Sequence, residues 1–229
     1  VSLGAGRQAQ ALERLDQITR RLRAECPWDR EQDERTIVPH TVEEAYELAD
    51  AAQRGDDAKL LDELGDVLFQ VHFLSLLLEE RGAGDLAQVA AHCAEKLVRR
   101  HPHVFGEVEV SGAGEVLRNW DRIKAQEPGR EPGLFGEVPE TLPGLLHARK
   151  VQRRAASGGF DLPDAAAALA GVRQEVGELA ETVEAGSRDE RFRELGDALF
   201  AVVALARKLH VDPELALRDA TERFRARFG

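Results

Sequence analysis

Two stretches of this chain repeat one acidic pattern: EEAYELADAAQRGDDAKLLDELGDVLFQV from Glu43 and QEVGELAETVEAGSRDERFRELGDALFAV from Gln174. Glu44, Glu47, Glu63 and Asp66 return as Glu175, Glu178, Glu194 and Asp197, each 131 positions on, as 175 is from 44. A period this far above that of solenoid units implies duplicated domains or half-bundles and argues against a stacked array.

Apolar residues recur at helical spacing along most of the chain, and no segment alternates as a half-buried strand does, so the fold class is predicted to be all-α. The pattern predicts helices over about 8–25, with Leu12, Leu15, Ile18 and Leu22 on one stripe, and over about 42–54, 58–81 and 85–100. Pro27, Gly55 and Pro102 supply stop signals. The stretch QEPGREPGLFGEVP, 126–139, concentrates Gly and Pro and reads as a linker, which gives a first unit over 1–125 and a second over 140–229.

With 43% hydrophobic residues among 229, the chain has enough apolar surface to build a core. Its 42 acidic and 31 basic residues leave a net charge of −11, which repels nucleic-acid polymers and anionic membrane surfaces. The longest apolar run, 67–78, is interrupted by Gln70 and His72 and falls short of the ~20 residues of a membrane span. Cys26 and Cys93 lack the spacing of a disulfide framework or a zinc site. No apolar signal core stands in the first fifteen residues, so the expected location is the cytoplasm.

The acidic residues come in pairs at i, i+3, which share one face of a helix. A short connection between the two helices of a copy favours antiparallel neighbours, so that the four carboxylates converge. Clustered carboxylates repel unless protonated, solvated or bridged by cations, and an all-oxygen set suits Mg²⁺, with Mn²⁺ as the alternative. A structural reading competes: Thr41-x-x-Glu44 has the form of a capping box, which makes Glu44 a helix-start residue with no chemistry. Against it, Glu63 and Asp66 lead into the most apolar helix of the chain, and the whole constellation recurs. Gly65 and Gly196 inside the ExGD quartets let a ligand or another backbone approach. Lys59 lies one turn before Glu63, and Lys96 and Arg100 lie in KLVRRH; Arg223 and Arg227 follow the last two at a constant spacing. Acids that collect cations, beside paired basic residues, describe a polyphosphate pocket.

CPWDREQ, TVEEAYEL, ELGDVLFQV and KLVRRHPHVF, followed by QEVGELAE and ELGDALFAV, resemble the MazG nucleoside triphosphate pyrophosphohydrolases in their two-copy form, over about 12–229. The resemblance implies duplicated MazG-type helical units with four-helix-bundle sites, an intertwined homodimer, and Mg²⁺-dependent hydrolysis of NTPs and dNTPs to the monophosphate and pyrophosphate. By position it makes Glu44, Glu47, Glu63 and Asp66 metal ligands and catalytic residues in the first copy, and Glu175, Glu178, Glu194 and Asp197 metal ligands in the second. It makes Lys59, Lys96, Arg100, Arg223 and Arg227 contacts to phosphate. Such chemistry is in-line attack of water on the α-phosphorus, resting on positioning and charge neutralisation, with Glu44 or Glu47 orienting the water.

Two positions depart from the family pattern. Glu190 stands where a lysine belongs and Thr221 where an asparagine does, so the first copy is expected to carry the activity. A ferritin-like di-iron enzyme needs Glu-x-x-His pairs, and both copies offer Glu or Asp instead. A regulatory module that keeps the fold without turnover is the remaining alternative. Trp28 is expected first as a core anchor and second as a stacking surface for the base. His101 and His103, flanking Pro102, are expected to end a helix.

Overall fold

The computed structural model describes residues 2–129, 133–136 and 138–228, and every regular element among them is a helix. By packing, the chain divides into two units, Val1–Arg99 and Arg100–Gly229. The first holds α1 (Ser2–Glu25), α2 (Pro27–Glu31), α3 (Glu34–Arg54), α4 (Asp57–Glu80) and nearly all of α5 (Leu86–Arg100).

Local chemistry sets these boundaries. The Asp33 side chain accepts from the backbone N–H groups of Arg35 and Thr36 at 2.8 and 2.9 Å, while Thr36 Oγ1 accepts from Asp33 N–H at 2.9 Å. This capping box starts α3 well before the expected 42, and Pro39 sits inside the helix. A proline this early gives up one ladder bond without ending the helix. Helix α3 stops at Gly55, whose φ of 65° is the left-handed conformation that glycine adopts without steric cost. Asp56 then caps α4 by accepting from Lys59 N–H at 3.0 Å.

The Gly55–Asp56 connector folds α4 back against α3. Between them Ile37, Phe73 and Leu77 form a core, with Phe69 and Leu74 packed on it. Full burial of a side chain such as Phe73 contributes roughly 1.5–3 kcal/mol. Helix α1 lies along α4 and is tied to its end by Arg20–Glu79 at 2.6 Å and Arg23–Glu80 at 2.9 Å.

The second unit comprises α6 (Pro102–Phe105), α7 (Ala113–Ala125), α8 (Gly144–Ser157), α9 (Ala165–Ala185), α10 (Arg188–Lys208) and α11 (Pro213–Arg225). Helices α9 and α10 repeat the α3–α4 hairpin through the connector Gly186–Ser187, and α8 packs on α10 and α11. Asp161 accepts from Arg207 and, at 2.8 Å, from Lys208, which pins the end of α10 to the segment before α9. Helix α7, which the sequence groups with the first copy, packs against α8. The 126–139 stretch also falls in the second unit, and its residues 130–132 and 137 lie outside the described ones. His101 is the N-cap of the short α6 and meets the Trp120 ring edge-on at 4.8 Å. No helix among the described residues is long and apolar enough to cross a membrane.

Candidate metal centres

Helix α3 carries Glu44 and Glu47 on one face, and α4 carries Glu63 and Asp66 on the face opposite. Carboxylate oxygens of Glu44, Glu63 and Asp66 lie within 4.8 Å of one another. Glu63 is 0% exposed. Its Oε1 is ion-paired with Lys59 from the preceding turn, and this hydrogen-bonded pairing raises the Lys59 ammonium above its ordinary range. Its Oε2 is buried without a hydrogen-bond donor among the described residues.

An ionised oxygen buried in this way is costly unless a positive charge meets it. Burial, reinforced by the charges of Asp66, Glu47 and Glu63, also pushes the Glu44 carboxyl above its usual range. A trio of carboxylates with an orphaned, buried oxygen fits a hard divalent cation held by oxygen ligands. Glu47 is exposed and stands outside the trio, near enough to act on Glu44 electrostatically.

Thr41 is no N-cap: it lies within α3, and its hydroxyl donates to the Ile37 carbonyl at 3.4 Å. Glu44 is therefore a mid-helix residue facing α4, and the capping-box reading is set aside. A Cβ added to Gly65 meets nothing within 4 Å. Beside it lies a shallow, open depression along the start of α4 whose lining includes Asp56, Lys59, Leu61, Gly65 and Asp66.

Glu175, Glu194 and Asp197 form the equivalent trio in the second unit, again within 4.8 Å. Burial and then Glu178, Asp197 and Glu194 push Glu175 upward. Glu178 stands outside the trio and accepts from Gln174 Nε2 at 2.9 Å. The neutralisation differs. The Glu194 side chain keeps 14% exposure, and its partner is the adjacent Arg193 at 3.2 Å.

Glu190, in the place of Lys59, turns back: it accepts from Ser187 N–H at 2.7 Å while Ser187 Oγ accepts from Glu190 N–H at 3.2 Å. These bonds hold the Glu190 carboxyl below its usual range. The SRDE run carries the S-x-x-E signature of this box, so the feature was open to a sequence reading that did not use it.

Of the other basic residues singled out by sequence, none is placed on a trio. Lys96 is half-buried on α5. Arg100 is buried, bonded to Glu127 by two bonds of 2.9 and 2.5 Å and lying 5.2 Å over the Trp120 ring, so it serves packing. Arg223 pairs with Asp219 one turn back, and Arg227 is exposed beyond α11. Thr221 donates to the Leu217 carbonyl of its own helix at 2.8 Å.

Trp28 is 52% exposed, not a core anchor. Helix α2 is too short to bury two faces. It turns Asp29 inward, where Arg23 donates to the Asp29 and Gln32 carbonyls at 2.5 and 2.9 Å. The indole meets His40 edge-on at 5.9 Å, and His40 lies one turn before Glu44 on the same face of α3.

The chain is similar to several known proteins. The MazG nucleotide pyrophosphohydrolase domain model matches residues 32–105 and 164–228. The nucleoside triphosphate pyrophosphohydrolase of Escherichia coli (strain K12) is 40% identical over 224 residues, covering 95% of this chain and 85% of that protein. The nucleoside triphosphate pyrophosphohydrolase/pyrophosphatase MazG of Thermotoga maritima is 41% identical over 219 residues, covering 94% and 83%. The crystal structure of a mazG-related protein from Thermotoga maritima aligns at 28% identity and a TM-score of 0.43, covering 49% of this chain and 97% of that one.

Proposed function

The chain belongs to the MazG nucleotide pyrophosphohydrolase family and is a nucleoside triphosphate pyrophosphohydrolase, and from that premise we propose that Glu44, Glu63 and Asp66 hold Mg²⁺ at its principal active site. The observation that carries this assignment is Glu63, fully buried, with an oxygen that no donor among the described residues meets. The reaction consumes one water per nucleotide: its oxygen bonds to the α-phosphorus as the bond to the β-phosphate bridge breaks, giving a monophosphate and pyrophosphate.

Glu47, beside the trio and not in it, orients that water and takes its proton. Lys59, ion-paired with Glu63, sets a positive charge beside the trio. When bound, Mg²⁺ supplies positive charge against the phosphate oxygens and eases deprotonation of the attacking water. Trp28 and His40 offer the stacking surface for the base, one turn along α3 from Glu44. The second trio, Glu175, Glu194 and Asp197, binds a cation but lacks a counterpart to Lys59, so it turns over more slowly.

A homodimer completes the fold in this reading. Leu61, Leu64, Leu68 and Val71 form a stripe on α4 that is 37–74% exposed, and Phe192, Leu195, Leu199 and Val202 repeat it in register on α10 at 43–81%. Apolar stripes this long need a covering helix pair, and a second copy supplies one. We place the enzyme in the cytoplasm, where nucleotide pools are found and free thiols such as Cys26 and Cys93 persist.

Product analysis tests the assignment. With Mg²⁺ and a dNTP or NTP, one pyrophosphate and one monophosphate should appear per nucleotide consumed, and EDTA should stop the reaction. Release of orthophosphate and a diphosphate, or an undiminished rate in EDTA, contradicts it.

A further inference from the structure

A constellation of the opposite sign lies between α7 and α8 of the second unit and shares no residue with either acidic trio. Helix α8, GLLHARKVQRRAAS, carries four cations and no acid, in a chain whose net charge is −11. Arg149 and Arg153 are four residues apart and share a face, as do Lys150 and Arg154; like charges at this spacing destabilise a helix unless anions compensate them.

Part of the compensation is internal. Asp212 meets Arg149 at 2.5 Å, and Asp121 lies 3.6 Å from Arg153. Lys150 is half-buried and has no ion pair among the described residues. It opens onto a cavity of about 310 Å³ lined by Lys124, Leu142, Leu146, Arg149, Lys150 and Arg153. Among the described residues this lining carries four cations, of which Arg149 and Arg153 already face the Asp212 and Asp121 carboxylates, while Lys150 has no such ion pair.

We propose that this cavity binds the phosphate chain of a nucleotide, or free pyrophosphate, directly and without a metal ion. An acidic trio meets phosphate only across a cation, whereas this wall offers ammonium and guanidinium donors that bond phosphate oxygens themselves. The volume is at the lower end for ligand pockets, enough for a phosphate chain and part of a nucleoside and too small for a polymer. Leu142 and Leu146 provide the apolar side against which a sugar or base rests.

Calorimetric titration of the full chain in EDTA, with pyrophosphate and separately with a nucleoside triphosphate, tests the proposal. The wild type should bind. The Glu63→Ala/Glu194→Ala double variant should bind equally well, because no metal is involved. Lys150→Ala should weaken binding at least about tenfold, with Lys150→Arg restoring most of it and circular dichroism showing both variants folded.

Tighter binding of the nucleotide than of pyrophosphate assigns the leucines to the nucleoside; equal affinities assign the site to the phosphate chain alone. Failure of the wild type to bind in EDTA overturns the proposal, as does unchanged binding by Lys150→Ala. A Lys150→Glu variant that alters the oligomeric state in size-exclusion chromatography overturns it in favour of an interface between copies.

Discussion

Lys59 and Glu190 both stand three residues past the N-cap, in α4 and α10, and their chemistries send them in opposite directions. A glutamate there accepts the N-cap N–H and closes a capping box; a lysine has no acceptor to offer and reaches forward to the acid one turn on. Glu190→Lys should therefore lower the Tm, because the capping box opens. Placed in a Glu63→Ala background, it should also raise pyrophosphate release above that of Glu63→Ala alone. An unchanged rate argues against the role given to Lys59. Gly65 faces open space, so Gly65→Ala should keep or gain stability, by up to about 1 kcal/mol, while kcat/KM falls because the methyl group occupies the ligand's side of the helix. A variant of unchanged kcat/KM contradicts that placement. Trp28→Ala should raise KM more than it lowers kcat, with little change in Tm; a large loss of Tm returns Trp28 to a packing role.

The two hairpins were legible in the sequence as elements, because ExxE and ExGD at a constant offset demand the same helix pair twice. Their acids were legible as pairs, and the structure brings three of each four together. The start of α3 was not legible: Pro39 reads as a stop, and the box that overrides it joins Asp33 to Thr36 without a glutamate. The buried pairing of Arg100 with Glu127 was hidden too, since a cation near a helix C-terminus looks the same whether it meets a phosphate or a distant carboxylate. At the other end of α10, Arg207 and Lys208 hold the Asp161 carboxyl at about 2, below its ordinary 3.8. A depressed carboxyl stabilises the fold when ionised, so this contribution is complete above about pH 4 and is lost as the pH falls toward 2. Asp161→Asn should lose about 1 kcal/mol at pH 7, allowing for solvent screening, and the gap to wild type should close in that acid window when urea unfolding is followed against pH. A gap that persists at pH 2 assigns the loss to packing.

Across the whole molecule, few hydrophobic side chains are fully buried: among the described residues Ile37, Ala51, Phe73, Leu76, Leu77, Ala168, Ala198 and Val203. Matching apolar stripes on α4 and α10 stand open instead, and the proposed homodimer would cover them with a second copy. Light scattering should give a dimer for the wild type and a smaller species for Leu64→Lys/Leu68→Lys; a monomeric wild type contradicts the homodimer. The same duplication supplies two acidic trios with unequal neutralisation, and the account stands on the first of them. Steady-state pyrophosphate release by Glu63→Ala and by Glu194→Ala, each folded and supplied with Mg²⁺ and nucleoside triphosphate, weighs the two sites directly. The account predicts a loss of about 10²-fold for Glu63→Ala and a much smaller one for Glu194→Ala. Full activity in Glu63→Ala, or equal residual activity in the two variants, contradicts it.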